Sequence, residues 1–275
     1  MNCNKRTKLT LEDFEKEIIV TIKELENDPS SLFDEWPIDI KHQRTGRPWY
    51  DIYAEKLIKI KEGAKEYFER IESFSREETG KPYNQNHEGI QEKKTKSIED
   101  IESKSFFNFH QKYGQDSSDF FLFDYQMPMK RKRQDDGVGK VDLIGCDDKN
   151  VYLLENKRIF NPNGHILHAI IEIYTYYRFL FDSLDVLSKE YPEYVSTQKK
   201  LVPALIYYRD SVTFKEFHDK NAPYIRKLMD ELGVVSFVVI YDGDQYKTDE
   251  EAITIEGNKV YPSRKITIKR DKYTD

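Results

Sequence analysis

The stretch GKVDLIGCDDKNVYLLENKR, residues 139–158, decides how the rest of the chain is read. Val141, Leu143 and Ile144 precede the polar residues Asp147, Asp148, Lys149 and Asn150, and Val151, Tyr152, Leu153 and Leu154 follow them. That is the composition of two short strands joined by a tight turn. If the turn closes symmetrically, the numbers of paired residues sum to 297, and Asp142 stands opposite Glu155. Opposed residues share a face, and Lys157 joins them because side chains alternate with period two. Two carboxylates facing each other across a hairpin repel. A cation between them resolves the conflict, and hard oxygen donors with a lysine alongside point to a divalent metal ion.

The chain has 275 residues, enough for one large domain or a medium domain with a smaller appendage. It is 34% charged with a net charge of -6, yet 13% aromatic, including 19 Tyr and 16 Phe. That aromatic load supplies a core and argues against global disorder. Cys3 and Cys146 offer no disulfide framework and suggest a reducing compartment. The first ten residues lack the apolar centre of a signal peptide, and no apolar run reaches the length of a membrane span. We expect a soluble cytoplasmic protein with no membrane partner. The acidic total argues mildly against nucleic acid, but Lys130, Arg131, Lys132 and Arg133 concentrate positive charge locally.

A first helix is expected from Thr10, with Asp13 as a capping partner and Leu11, Phe14, Ile18, Ile22 and Leu25 on one face. A second is expected from about Tyr50 to Phe74. Residues 75–96 are polar, contain Gly80, Pro82 and Gly89, and read as a linker. The domain boundary therefore falls at about residue 80, with a helical region over 1–80 and the main domain over 81–275. Ser97 and Asp100 cap a third helix reaching Tyr113, and Phe120 to Met129 reads as a strand. After the hairpin come a helix from about His165 to Asp182 and a strand from Leu201 to Tyr208. Thr213 to Leu232 is helical and contains Pro223, so it is kinked or split. Val234 to Tyr241 is an apolar strand, and a final hairpin turns through Gly257 and Asn258. Strands joined first by hairpins and then by helical crossovers define an α/β fold, a mixed central β-sheet flanked by helices.

Asp142, a spacer, then Glu155, Asn156 and Lys157 at the end of the next strand resembles the PD-(D/E)xK nuclease superfamily. The expected element order from Ser97 to Tyr241 is similar to that superfamily's restriction-endonuclease-like core: a helix, three meandering strands, a helix and a further strand. Val141 stands where many members have Pro. The resemblance implies a metal-dependent nuclease hydrolysing phosphodiester bonds, of DNA before RNA, through a metal-activated water. Such chemistry needs charge stabilisation at phosphorus and a nucleophilic water. Asp142 and Glu155 are then ligands for Mg²⁺ or Mn²⁺, the Asn156 carbonyl is a third, and Lys157 orients or helps deprotonate the water. Many members add a Glu from the helix before the first strand. Glu99 and Glu102 are the candidates, with Glu88 upstream, and we assign Glu102.

On the helix after the hairpin, His165, His168, Glu172, Thr175, Arg178 and Asp182 form a polar stripe in an otherwise apolar sequence. Glu172 and Tyr176 are similar to the Gln-x-x-x-Tyr of exonuclease-like members without matching it. The pattern alone favours a solvent-facing stripe. The resemblance instead sets His168, Glu172 and Tyr176 beside the site, supporting its residues or touching substrate, with His168 not a metal ligand. Lys130, Arg131, Lys132 and Arg133 read equally as phosphate contacts or as a solvated loop. A homodimer is left open. The rival readings are a catalytically inactive nuclease-fold protein that binds nucleic acid or a protein partner, and an unrelated α/β protein whose hairpin mimics the signature.

Overall fold

The computed structural model describes residues 46–59, 63–69, 97–114, 120–129, 140–161 and 164–273. The helix expected from Thr10, the linker and the basic residues Lys130, Arg131, Lys132 and Arg133 lie outside the described residues, as does Glu88. Two short helices, α1 (Trp49–Ile58) and α2 (Gly63–Glu69), stand where one helix from Tyr50 was expected. Gly63 has a φ of +81°, a conformation that right-handed helix excludes, and so the run does not continue through it. Helix α3 (Ile98–Tyr113) begins where its cap predicts: the Ser97 hydroxyl accepts from the Asp100 N–H at 3.5 Å.

Three strands follow, β1 (Phe121–Pro128), β2 (Lys140–Cys146) and β3 (Asn150–Lys157). Then come α4 (Ile166–Leu180), α5 (Leu184–Glu190), β4 (Lys200–Tyr208), α6 (Val212–Phe217), α7 (Pro223–Leu232) and β5 (Val235–Tyr241). Helix α5 was not foreseen. The segment around Pro223 is split rather than kinked, with Pro223 opening α7 and a left-handed Gly233 closing it. The last strands are β6 (Ile253–Glu256), β7 (Lys259–Pro262) and β8 (Ile266–Asp271). The first two pair as the expected hairpin, while β8 joins the main sheet.

That sheet has six strands in the order β1-β2-β3-β4-β5-β8. β1, β2 and β3 are successively antiparallel, β4 and β5 continue parallel to β3, and β8 is antiparallel to β5. Alternation along β3 separates two cores. Val151 and Leu153 face α4, packing with Ile170, Ile173 and Leu205, whereas Tyr152 and Leu154 face α3, packing with Phe106, Ile206 and Phe237. The fold is therefore α/β, a mixed sheet between helical layers. Tyr53, Leu57 and Phe68 of α1 and α2 enter the same core as α4. Asp51 of α1 also caps α7, accepting from Tyr224 N–H at 2.6 Å. The described part of the N-terminal region thus packs with the sheet, and the boundary at residue 80 falls outside the described residues. Among the described residues no helix is long and apolar enough to cross a membrane.

Candidate active site

The β2–β3 ladder has the register read from the sequence. Cys146 pairs with Val151, Gly145 with Tyr152, Ile144 with Leu153 and Leu143 with Leu154. The turn is held by Asp147, whose carboxylate accepts from the N–H groups of Lys149 and Asn150 at 2.7 Å each. Asp142 and Glu155 come next along the ladder. There Asn156 N–H donates to Asp142 Oδ2 at 2.9 Å, tying the two strands together. Lys157 Nζ lies 2.7 Å from Glu155 Oε1 and 3.0 Å from Glu172 Oε2 on α4. Tyr176 donates its hydroxyl to the other Glu172 oxygen at 3.1 Å.

Three carboxylates, Asp142, Glu155 and Glu172, thus gather around one ammonium, and their titration reflects that imbalance. Burial, then Asp142 and Glu172, push the Glu155 carboxyl well above the usual range against the pull of Lys157. Burial also raises Asp142 to about 7, with Glu172 and Glu99 adding to the shift, while Asn156 N–H and Lys157 oppose it. Burial would raise Glu172 too, but Lys157 and His168 outweigh it and hold Glu172 at about 2. Lys157 stays firmly protonated because Glu155 and Glu172 outweigh the cost of burying its charge.

Several expectations change. The stripe on α4 does not face solvent: His165 and Thr175 are buried, Glu172 is tied to Lys157, and Asp182 alone is exposed. His165 is bound to Glu216 at 2.7 Å, and Thr175 donates to Ile171 O. His168 is half-buried one turn before Glu172 and acts on it electrostatically. Glu102 does not join Asp142 and Glu155. Its carboxylate accepts from Asn156 Nδ2 at 2.7 Å, and the Asn156 side chain points to the face of β3 opposite Glu155 and Lys157. The helix carboxylate that Asp142 does feel is Glu99, itself bound to Arg158 and Asn161 at 3.3 Å.

Gln126 is a site residue that sequence reasoning missed. Its Nε2 donates to Asp142 Oδ1 at 2.9 Å, so both oxygens of Asp142 are occupied. Gln126 has a φ of +51°, rare outside glycine, and it is the only such residue among those described. Nothing in the local sequence announces this conformation.

The donor chemistry fits a hard dication. Asp142 and Glu155 supply oxygen ligands, and the cluster holds more carboxyl groups than Lys157 alone can keep ionised. Among the described residues no three His, Cys, Asp or Glu side chains converge to hold an ion by themselves. An ion at this place would therefore rest on two carboxylates, the Asn156 carbonyl and solvent or substrate oxygens. No family model, curated protein or solved structure matches this chain.

Proposed function

We propose that this chain is a metal-dependent nuclease with a restriction-endonuclease-like core, hydrolysing phosphodiester bonds of DNA. The observation that carries the reading is the meeting of Asp142 of β2 with Glu155 and Lys157 of β3 on one face of the sheet, at the carboxyl end of β3. Three features support it further. The order of α3, a three-strand meander, α4 and a parallel β4 is the order that the resemblance implies. The carboxyl ends of parallel strands are where open α/β sheets bind ligands. The buried acids are short of positive charge, as a dication site is before it fills.

In this reading Asp142, Glu155 and the Asn156 carbonyl hold Mg²⁺ or Mn²⁺, which would supply charge stabilisation at the phosphate and acidify a water. Gln126 and the Asn156 N–H aim the two Asp142 oxygens. Lys157, kept protonated, donates to a phosphate oxygen or orients the attacking water. Glu172 and Tyr176 hold the Lys157 ammonium at the end of β3.

The test is cleavage of DNA by the purified protein with Mg²⁺ or Mn²⁺, and its loss on adding a chelator. Asp142→Ala, Glu155→Ala and Lys157→Ala should each abolish cleavage in protein that remains folded. Undiminished cleavage by Asp142→Ala would overturn the assignment. One observation favours the alternative, an inactive nuclease-fold protein that binds nucleic acid or a protein partner: the two-carboxylate cage is sparse. DNA binding without cleavage in either metal would select it.

A further inference from the structure

Asn156 is held from both sides of the sheet at once. Its backbone N–H donates to Asp142 on one side, and its amide Nδ2 donates to Glu102 at 2.7 Å on the other. Both side chains are fully enclosed, with Glu102 1% and Asn156 0% exposed. Asn156 Oδ1 has no hydrogen-bond partner, so Glu102 is the sole anchor of this amide among the described residues. Around the pair the face is mostly aromatic, with Phe106 one turn beyond Glu102 on α3 and its ring 5.6 Å from that of Tyr208, whose phenol Glu102 perturbs. Asp249, Arg158 and Glu99 act on Glu102 from the rim. A polar pair in such surroundings gains little stability over an apolar pair of the same shape. What the pair does supply is a fixed orientation for the one residue lying between Glu155 and Lys157.

We propose that Glu102 is a positioning residue for the Asp142–Glu155 site, acting through the Asn156 side chain from the opposite face of the sheet. The proposal rests on the nuclease reading above and assigns Glu102 a role other than that of a ligand. Glu102 pins the Asn156 amide, and this sets the peptide plane at the end of β3. The same residue's N–H then aims Asp142, and its carbonyl keeps its place beside Glu155. Groups that orient ligands from behind in this way change metal affinity by about 10- to 100-fold when removed. The helix α3 would thus contribute to the site without touching what binds there.

Direct titration with Mn²⁺, followed by calorimetry or by the electron paramagnetic resonance of the free ion, tests this without any assay of turnover. Glu102→Leu, which suits the apolar face, should weaken Mn²⁺ binding by about 10-fold or more. Glu102→Gln keeps an acceptor for the Asn156 amide and should restore affinity to within about 3-fold of wild type, a change of under about 1 kcal/mol. Asn156→Ala cuts the same link while leaving Glu102 in place, and should weaken binding as Glu102→Leu does. The double variant should be no worse than either single one, because both remove one connection. Wild-type affinity in Asn156→Ala overturns the proposal even if Glu102→Leu fails to fold, and so does additive loss in the double variant. Absence of Mn²⁺ binding by the wild type removes the nuclease reading, and the proposal with it. Binding that Asp142→Ala abolishes but Glu102→Leu and Asn156→Ala leave intact removes the positioning role alone.

Discussion

Lys157 donates to Glu172 at 3.0 Å, and this single contact joins the end of β3 to the middle of α4. Glu172 is held at about 2, so its folded-state value lies below the unfolded one of about 4.5. A depressed carboxyl stabilises the fold above the unfolded value, and that stability drains away as pH falls from about 5 through 2. Glu172→Gln should therefore cost about 1–3 kcal/mol at pH 7, less than a buried pair that loses its only partner, because Lys157 retains Glu155. The gap to wild type should narrow on acidification. Urea unfolding at pH 7, 4 and 2.5 measures it, and a pH-independent gap would rule out the ion pair as its source.

Asp142 makes the opposite prediction. Its carboxyl sits at about 7, and a metal ligand must give up its proton. Mn²⁺ affinity should rise about tenfold or more per pH unit below 7, where Asp142 and the likewise raised Glu155 must both give up protons. Calorimetry at pH 5.5, 6.5, 7.5 and 8.5 checks this, and flat affinity across that range would argue that Asp142 binds no ion. The raised value also means that keeping Asp142 protonated weakens the empty fold increasingly as pH climbs from about 4 through 7. Asp142→Asn should consequently fail to bind Mn²⁺, and its stability relative to wild type should shift in the variant's favour as pH rises from about 4 to 8, whatever it loses by offering Gln126 and Asn156 one acceptor in place of two.

The hairpin was legible because its information is local: a four-residue turn and alternating strands fix which residue faces which, and the register follows. The Ser97 cap and the apolar strand β5 were legible for the same reason. Features that depend on remote partners were not. The RKITIKR segment becomes β8 only because β5 offers an edge, and Glu172 looked solvent-facing until Lys157 arrived from another element. The structure places Glu102 at the Asn156 side chain rather than beside Asp142 and Glu155, a point on which alternation bears. A helix residue reaching Asn156 must approach from the face that Glu155 and Lys157 do not occupy. Gln126 left no trace at all, since a positive φ at a glutamine is imposed by its surroundings.

Gly145 tests how tightly that hairpin is backed. A Cβ there would lie 2.6 Å from Phe120 Cδ2 and 2.9 Å from Phe121 O, closer than atoms pack without movement. The Phe120 ring cannot yield easily, because it packs at a tilt against Phe237 at 4.2 Å and edge-to-face against Tyr152 at 5.7 Å. Gly145→Ala should destabilise the protein by about 1–3 kcal/mol through overpacking. Urea unfolding gives the number, and a neutral substitution would show that β1 and β2 can part at this point.

Glu102 separates the stability of the fold from the working of the site. Burial, opposed by its bond from Asn156, raises its carboxyl to about 8. A raised carboxyl is neutral in the folded protein near pH 7, and the fold pays increasingly to keep it so as pH climbs from about 4.5 through 8. Glu102→Gln removes that penalty while keeping an acceptor for Asn156 Nδ2. The variant should match or exceed wild-type stability at pH 7, and by pH 9 exceed it by on the order of 2–5 kcal/mol. Thermal unfolding at pH 6, 7.5 and 9 resolves the trend. A variant that instead loses stability at pH 9 would mean that the Glu102 carboxylate is ionised and paired in the fold, and the charge at the back of β3 would then have to be counted with the site in front of it.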